Sequence, residues 1–303
     1  MKLPSSVKLI DVCLRDGLQN VQKLVPLERK RRMAEMLIDA GFKKLEAASF
    51  VSPRWIPQMA DASELIKEIK PYAREKGVQI LGLVPNLKGL ENAIEAGVDG
   101  VSAVISVSEL HNRKNVNRTQ DESFTQLREM LHLKPEKMLF RLSLATVFGC
   151  PFGEEITLGK ILSAIDRGLE TGVDQIVLSD TIGSANPVMV EKIITAALEH
   201  VPAERIVLHF HDTQGLAIAN ILTAMQLGLT QFESSAAGLG GCPYAPGASG
   251  NAASEDLNNM MLSMGVATGI DQTRLMNAVE YISNTVPACT SSHIWDRAKG
   301  TNC

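Results

Sequence analysis

Two histidines separated by one residue give the clearest chemical signal in the sequence. His209 and His211 stand in the run VLHFHDTQG, which begins as an apolar, strand-like segment. On a strand, residues two positions apart point to the same face, so both imidazoles would face the same way. A single histidine would be better explained as a hydrogen-bonded core residue. An alternating pair near a strand end, with carboxylates on neighbouring strands, favours a divalent metal site.

Other strand ends offer oxygen ligands for the same ion. Asp16 would supply a carboxylate oxygen and Asn251 an amide oxygen. With the two imidazoles they form a mixed nitrogen and oxygen set that leaves room for substrate oxygens. This set suits Mg²⁺ or Mn²⁺, and it is also compatible with Zn²⁺ or Fe²⁺. We therefore expect the metal ligands to be Asp16, His209, His211 and Asn251.

Arg15, which precedes Asp16, has two interpretations. Adjacent strand residues point to opposite faces, so Arg15 would form a structural salt bridge, for example with Glu46 on the next strand. Alternatively, Arg15 is a fixed cation beside the metal, placed where an oxyanion develops during a reaction. The residues alone leave both interpretations open.

A glycine-rich stretch runs from Gly238 to Asn251, GLGGCPYAPGASGN, between a strand-like and a helix-like run. Such a loop can bring its backbone very close to a ligand. Its cysteine, Cys242, is either a proton donor that reaches the substrate or a small buried thiol. The loop follows the eighth predicted strand directly.

The rest of the chain alternates short β-branched runs with longer amphipathic runs, eight of each. Strict alternation predicts parallel strands joined by right-handed crossovers, and eight units favour a closed (β/α)8 TIM barrel over an open sheet. Chemistry in such barrels lies at the carboxyl ends of the strands. The polar residues collect at those predicted ends: Arg15, Asp16, Gln19, Glu46, Asp180, His209, His211, Cys242 and Asn251.

No linker or change of composition divides the 303 residues. We expect one domain spanning 1–303, with the barrel over about 5–268 and a carboxy-terminal helix and tail over about 269–303. The net charge of -4 argues against nucleic-acid and membrane partners, which select basic surfaces. Five cysteines without CxxC spacing, and no signal-like amino terminus, predict a reducing, cytoplasmic location.

Five segments resemble the 3-hydroxy-3-methylglutaryl-CoA (HMG-CoA) lyases of the DRE-TIM metallolyase superfamily, and together they span nearly the whole chain. The glycine-rich segment is the most specific, because related condensing enzymes share the RDG and HxH elements but not its cysteine. The segments are LRDGLQN (14–20), SFVSPRWIPQM (49–59), LSDTIG (178–183), HFHDTQG (209–215) and GLGGCPYAPGASGNAASEDL (238–257).

The resemblance implies metal-dependent cleavage of HMG-CoA to acetyl-CoA and acetoacetate, with Mg²⁺ or Mn²⁺ as cofactor. It implies that Arg15 steadies the thioester enolate, that Cys242 is a catalytic acid/base, and that Glu46 and Asp180 support the site. Gln19 is a substrate-binding candidate. An acyl-CoA substrate, a homodimer and a place in leucine degradation or ketone body metabolism are implied as well.

Three other functions compete with this one. A sister lyase for a longer-branched 3-hydroxy-3-alkylglutaryl-CoA would use the same catalytic set and differ in pocket volume. A Claisen condensing enzyme would lack the cysteine loop and carry a regulatory domain. A catalytically silent barrel that only binds acyl-CoA or a metal would not need Arg15, Asp16, His209, His211, Cys242 and Asn251 together. Asp16 and His209 are both candidates for removing the hydroxyl proton.

Overall fold

A computed structural model describes residues 2–240, 250–286 and 291–300, and it shows a closed barrel of parallel strands. Each strand pairs with the next, and the last pairs with the first through Lys8 to Asp11 against Gln231 to Ser234. The TIM-barrel prediction is therefore confirmed. The strands are β1 (Lys8–Asp11), β2 (Lys44–Ser49), β3 (Gln79–Leu83), β4 (Gly100–Ser106), β5 (Leu139–Ala145), β6 (Gln175–Asp180), β7 (Ile206–Phe210) and β8 (Gln231–Ser234).

Helices follow the strands and form the outer layer of the barrel. The longer segment after β4 holds two of them instead of one. The helices around the barrel are α1 (Leu27–Ala40), α2 (Ala62–Glu75), α3 (Leu87–Ala96), α4 (Glu109–Val116), α5 (Gln120–Leu133), α6 (Leu158–Glu170), α7 (Pro187–Ala197), α8 (Ala217–Gln226) and α9 (Ser254–Ser263).

Residue types at the strands and helix starts explain these elements. All six residues of β6, QIVLSD, are buried, because helices cover one face of the strand and the barrel interior covers the other. Helix starts carry side-chain caps: Asn86 Oδ1 accepts a hydrogen bond from Gly89 N (2.9 Å), and Asn186 Oδ1 accepts one from Met189 N (3.1 Å). Caps of this kind thus fix the starts of α3 and α7.

The carboxy-terminal part is helical, as predicted, with α10 (Gln272–Thr285) and α11 (His293–Ala298). Helix α10 packs against α1, where Arg29 Nη1 donates to Tyr281 Oη (3.3 Å). The carboxylate of Asp256 accepts the amide hydrogens at the start of α11. Within the described ranges, no helix has the length and apolar content needed to cross a membrane.

Candidate active site

The polypeptide leaves β1 in a short π-helical turn, Cys13–Gly17, that places Arg15 and Asp16 at the carboxyl end of the barrel. Three successive amides, from Arg15 to Gly17, donate to the carbonyl oxygen of Val12 at 2.8 to 3.2 Å. The expectation that Arg15 and Asp16 point to opposite faces of a strand was wrong, because the strand ends at Asp11 and the turn brings both side chains to the same site.

Asp16 lies beside both histidines of the HFH run. Its Oδ2 is 3.7 Å from Nε2 of His211 and 4.0 Å from Nε2 of His209. One ligand atom from each of the three residues lies within 4.8 Å of the others, and all three side chains are buried. The geometry thus brings together three of the four residues predicted to bind a metal.

Asn251 is the fourth predicted ligand, and it joins the same cluster. Its backbone pairs with that of His211 in an isolated antiparallel bridge, and its Nδ2 donates to Asp16 Oδ2 (2.8 Å) and to the carbonyl of Leu239 (3.1 Å). Its buried Oδ1 has no hydrogen-bond partner among the described residues. A buried oxygen without a partner costs free energy unless something else satisfies it, so the set fits a bound cation.

Arg15 forms ion pairs with both Glu46 and Asp16. Burial by itself would lower the pKa of Arg15, but the carboxylates of Glu46 and Asp16 outweigh burial and raise that pKa. Burial likewise opposes ionisation of Asp16, yet Arg15 and the two histidines hold its pKa far below the ordinary value. Both interpretations of Arg15 therefore describe one arrangement: the salt bridge to Glu46 fixes a permanent cation beside the candidate metal ligands.

Other predicted site residues also lie at this end of the barrel. Gln19 Nε2 donates to Asp16 Oδ1 (2.8 Å), and Glu46 Oε2 accepts from Ser102 Oγ (2.8 Å). The carboxylate of Asp180 accepts the backbone amides of Ser184 and Ala185, both at 3.0 Å, and burial raises its pKa. Asp180 thus holds the loop between β6 and α7.

The predicted acid/base Cys242 lies outside the described residues. Two flanking residues, Leu239 and Asn251, meet beside the candidate metal ligands through the hydrogen bond from Asn251 Nδ2 to the Leu239 carbonyl. The described chain therefore leaves the site near Leu239 and returns to it at Asn251.

Sequence reasoning missed two charged residues inside the barrel, Arg141 on β5 and Glu233 on β8. They form an ion pair with each other, and Glu233 Oε2 also accepts from Nδ1 of His209 (2.8 Å). A signal existed: each is a lone charge in an otherwise uncharged strand run, FRLSLA and FESSA. A charged residue at such a position is rarely buried unless it is paired.

Fold and site together define a TIM-barrel enzyme with a candidate divalent-cation centre at the carboxyl mouth. The profile of the HMGL-like family matches residues 6–282, and the chain belongs to that family. A hydroxymethylglutaryl-CoA lyase of Bacillus subtilis is 42% identical over 283 residues, which cover 93% of this chain and 94% of that protein. The mitochondrial hydroxymethylglutaryl-CoA lyase of Mus musculus is 40% identical over 293 residues, which cover 96% of this chain and 89% of that protein.

Solved structures agree with the sequence comparison. The crystal structure of the B. subtilis HMG-CoA lyase superposes with a TM-score of 0.95 and 41% identity, covering 99% of this chain and all of that one. The structure of an HMG-CoA lyase from Acinetobacter baumannii holds coenzyme A and 3-methylmalate. It superposes with a TM-score of 0.93 and 37% identity, and the alignment covers 100% of this chain and 99% of that one. The family resemblance expected from the sequence is confirmed.

Proposed function

We propose that this protein cleaves (S)-3-hydroxy-3-methylglutaryl-CoA to acetyl-CoA and acetoacetate with the help of Mg²⁺ or Mn²⁺. One observation carries the proposal: Asp16, His209, His211 and the Asn251 oxygen that has no partner among the described residues converge beside a permanently charged arginine. The names of the relatives, which are HMG-CoA lyases aligned over nearly the whole chain, support the same substrate.

The four convergent side chains would hold the cation. Two neutral imidazoles, one carboxylate and one amide give a small net charge, which leaves the ion able to attract the substrate's own oxygens. When bound, such a cation lowers the pKa of a coordinated hydroxyl group and fixes its orientation. Asp16, which forms an ion pair with Arg15, would also contribute a ligand oxygen to the cation.

In the cleavage, the tertiary hydroxyl loses its proton to a base in the site, for which Asp16 and His209 are the two candidates. The C2–C3 bond then breaks, and its electron pair forms the enolate of the acetyl thioester. Arg15 faces the charge that develops on the thioester oxygen. Glu46 and Asp16 hold its guanidinium in place before the reaction, so little reorganisation is needed. By comparison with other oxyanion donors, one such group contributes about 3 kcal/mol to the barrier reduction.

The remaining site residues have supporting or proton-transfer roles in this proposal. Cys242 donates the proton that converts the enolate carbon into the methyl group of acetyl-CoA, as its motif indicates. Glu46 orients Arg15, and Asp180 fixes the loop after β6. Gln19 contacts the substrate and steadies Asp16 through its hydrogen bond.

The partner of this site is an acyl-CoA, which agrees with coenzyme A being present in the A. baumannii structure. We also infer that the chain acts as a single unit over 1–303, since α10 packs on α1. The homodimer, the cytoplasmic location and the place in leucine degradation or ketone body metabolism stay predictions of the sequence.

A coupled assay of acetoacetate release tests the proposal. The purified protein is stripped of metal with a chelator, then assayed with HMG-CoA alone, with Mg²⁺ and with Mn²⁺, beside a longer-branched 3-hydroxy-3-alkylglutaryl-CoA. We expect metal-dependent release that is faster with HMG-CoA. Release at the same rate without metal would contradict the metal role, and a preference for the longer analogue would identify the sister lyase.

A further inference from the structure

Glu233 lies inside the barrel with a different partner on each carboxylate oxygen. Oε2 is 2.8 Å from Nδ1 of His209, and Oε1 is paired with Nη2 of Arg141. All three side chains are at least nine-tenths buried, so water does not compete for these contacts. Glu233 and Arg141 therefore depend on each other, and on His209, to stabilise their buried charges.

Arg141 stabilises the ionised form of the Glu233 carboxylate. A guanidinium is always protonated and offers only donors, so the oxygen that faces it must accept. Arg141 also lies 4.0 Å from Oε2 of Glu46, the carboxylate that holds Arg15. Arg141 thus stands between the carboxylate behind the catalytic cation and the carboxylate behind the metal ligands.

An ionised carboxylate can only accept hydrogen bonds, so the proton in the contact with His209 lies on Nδ1 of the ring. In the neutral ring, Nε2 then carries the free lone pair. That nitrogen points toward Asp16 and lies 4.0 Å from its Oδ2, inside the candidate metal cluster. By contrast, Nδ1 of His211 has no hydrogen-bond partner among the described residues, so no such contact selects its tautomer.

We propose that Glu233, held in place by Arg141, is a positioning residue that selects the His209 tautomer with Nε2 open to the metal. The proposal rests on the metal site of the proposed function but not on the identity of the substrate. A carboxylate behind a metal-binding histidine fixes the ring orientation and makes the ring a better ligand.

The Glu233→Gln variant makes the proposal testable, because it has nearly the same shape but only one acceptor. Arg141 offers no acceptor, so the single oxygen of the glutamine must face Arg141, and its amino group must face Nδ1 of His209. Nδ1 then becomes an acceptor and Nε2 carries the proton, so the ring can no longer present a lone pair to the metal.

The experiment measures the tautomer in the metal-free protein by long-range ¹H–¹⁵N correlation of labelled histidines, with the His209 signals assigned by their loss in a His209→Gln variant. Titration with Mn²⁺ then gives the dissociation constant. We expect Nδ1–H at His209 in the wild type and Nε2–H in Glu233→Gln, with the Mn²⁺ dissociation constant raised about 10- to 100-fold. Glu233→Asp keeps two acceptor oxygens and should keep the wild-type tautomer.

Gln231→Met is the matched control. Gln231 lies on the same strand two residues earlier, is buried, and bonds to Gln175 (3.2 Å) and to the Glu204 carbonyl (2.6 Å). Removing these hydrogen bonds should change neither the His209 tautomer nor Mn²⁺ binding.

An Nε2–H tautomer in the wild type would overturn the proposal, and this measurement needs no variant to fold. Unchanged Mn²⁺ affinity in a folded Glu233→Gln protein would overturn it too. A wild type that shows Nδ1–H and binds Mn²⁺ but releases no acetoacetate from HMG-CoA would contradict the proposed function and leave the role of Glu233 intact.

Discussion

Asn251 and Asp16 lie 235 positions apart in the chain, and Nδ2 of Asn251 donates a hydrogen bond of 2.8 Å to Oδ2 of Asp16. The same amide donates to the Leu239 carbonyl, so its nitrogen side is fully used. The amide plane is therefore fixed, and Oδ1 is left without a partner among the described residues. This arrangement leaves Oδ1 oriented and available as a candidate ligand for a cation.

Replacing Asn251 with alanine should weaken metal binding without unfolding the protein. The variant loses one ligand oxygen and the bond that orients Asp16, so we expect the Mn²⁺ dissociation constant to rise at least about tenfold. Calorimetric titration measures it. Asn220→Ala is the control, because Asn220 is also buried, donates to the Ala185 carbonyl (3.0 Å) and has an Oδ1 with no hydrogen-bond partner in the described part of the chain. Equal losses of affinity in both variants would contradict the role of Asn251.

Replacing Arg15 with methionine should remove the fixed cation while the metal ligands remain. We expect kcat to fall about 10²- to 10³-fold, the effect of losing one oxyanion donor, with metal content retained. The acetoacetate assay and elemental analysis measure the two quantities. In the control, Arg31→Met removes an exposed arginine whose ion pair with Glu35 contributes little, and turnover should stay normal. Normal turnover in Arg15→Met would remove Arg15 from the mechanism.

Much of this site could be predicted because it depends on local periodicity. The alternation of His209, in β7, and His211, directly after its end, gives their common direction, and strict βα alternation gives the end of the barrel at which they lie. The positions of Asp16 and Asn251 follow once the first and last βα loops are known to meet at that end.

What escaped prediction depends on contacts between distant strands. Arg141 and Glu233 pair across the barrel from β5 to β8, and this pairing follows from the closure and stagger of the strands, not from any local pattern. The turn that brings Arg15 beside Asp16 depends on three amides sharing one carbonyl oxygen, that of Val12. Nothing in the letters CLRDG distinguishes this turn from a longer strand.

Replacing Cys242 with serine should slow turnover with little change in metal content. Its motif indicates an acid/base role, and such a group contributes about 10²- to 10⁴-fold to the rate, so kcat should fall within that range. The acetoacetate assay measures this in the presence of reductant. Cys303→Ser, at the chain end, is the control and should turn over normally. A wild-type rate in Cys242→Ser would show that the thiol is a bystander.

Replacing Gly238 with alanine should loosen the carboxy-terminal segment that holds Ser291 and α11. Gly238 has a φ of +57°, and an added Cβ would lie 1.9 Å from the carbonyl oxygen of Ser291, whose own amide donates to the Ala237 carbonyl. Gly228→Ala is the matched control, since its φ is also positive (+94°) but no atom of the other described residues, its two chain neighbours apart, lies within 4 Å of the added Cβ.

We expect the unfolding free energy of Gly228→Ala to fall by about 1–2 kcal/mol, the cost of placing alanine in the left-handed region. The unfolding free energy of Gly238→Ala should fall further, because the backbone of Ser291 must also move. Urea unfolding measures both losses, and hydrogen exchange at the Ser291 amide shows whether its bond to Ala237 opens. Equal destabilisation of the two variants would mean that the segment shifts without cost.

The buried carboxyl group of Glu255 predicts a pH dependence of stability. Its Oε2 accepts from the Ala237 amide (3.0 Å), and burial raises its pKa from 4.5 to about 7. Between these two values the folded protein keeps a proton that the unfolded chain has released. The unfolded state therefore binds fewer protons, and stability falls as pH rises through this window.

The variant Glu255→Gln does not titrate, so it should escape this fall. We expect its unfolding free energy, relative to wild type, to rise by about 3 kcal/mol between pH 4 and pH 8, since each pKa unit corresponds to about 1.4 kcal/mol. Constant losses from the substitution cancel in this comparison. Urea unfolding at intervals of half a pH unit measures it, with Glu280→Gln, an exposed position on α10, as the control for net charge. Parallel stability curves for wild type and Glu255→Gln would show that the Glu255 carboxyl group ionises as readily in the folded protein as in the unfolded chain.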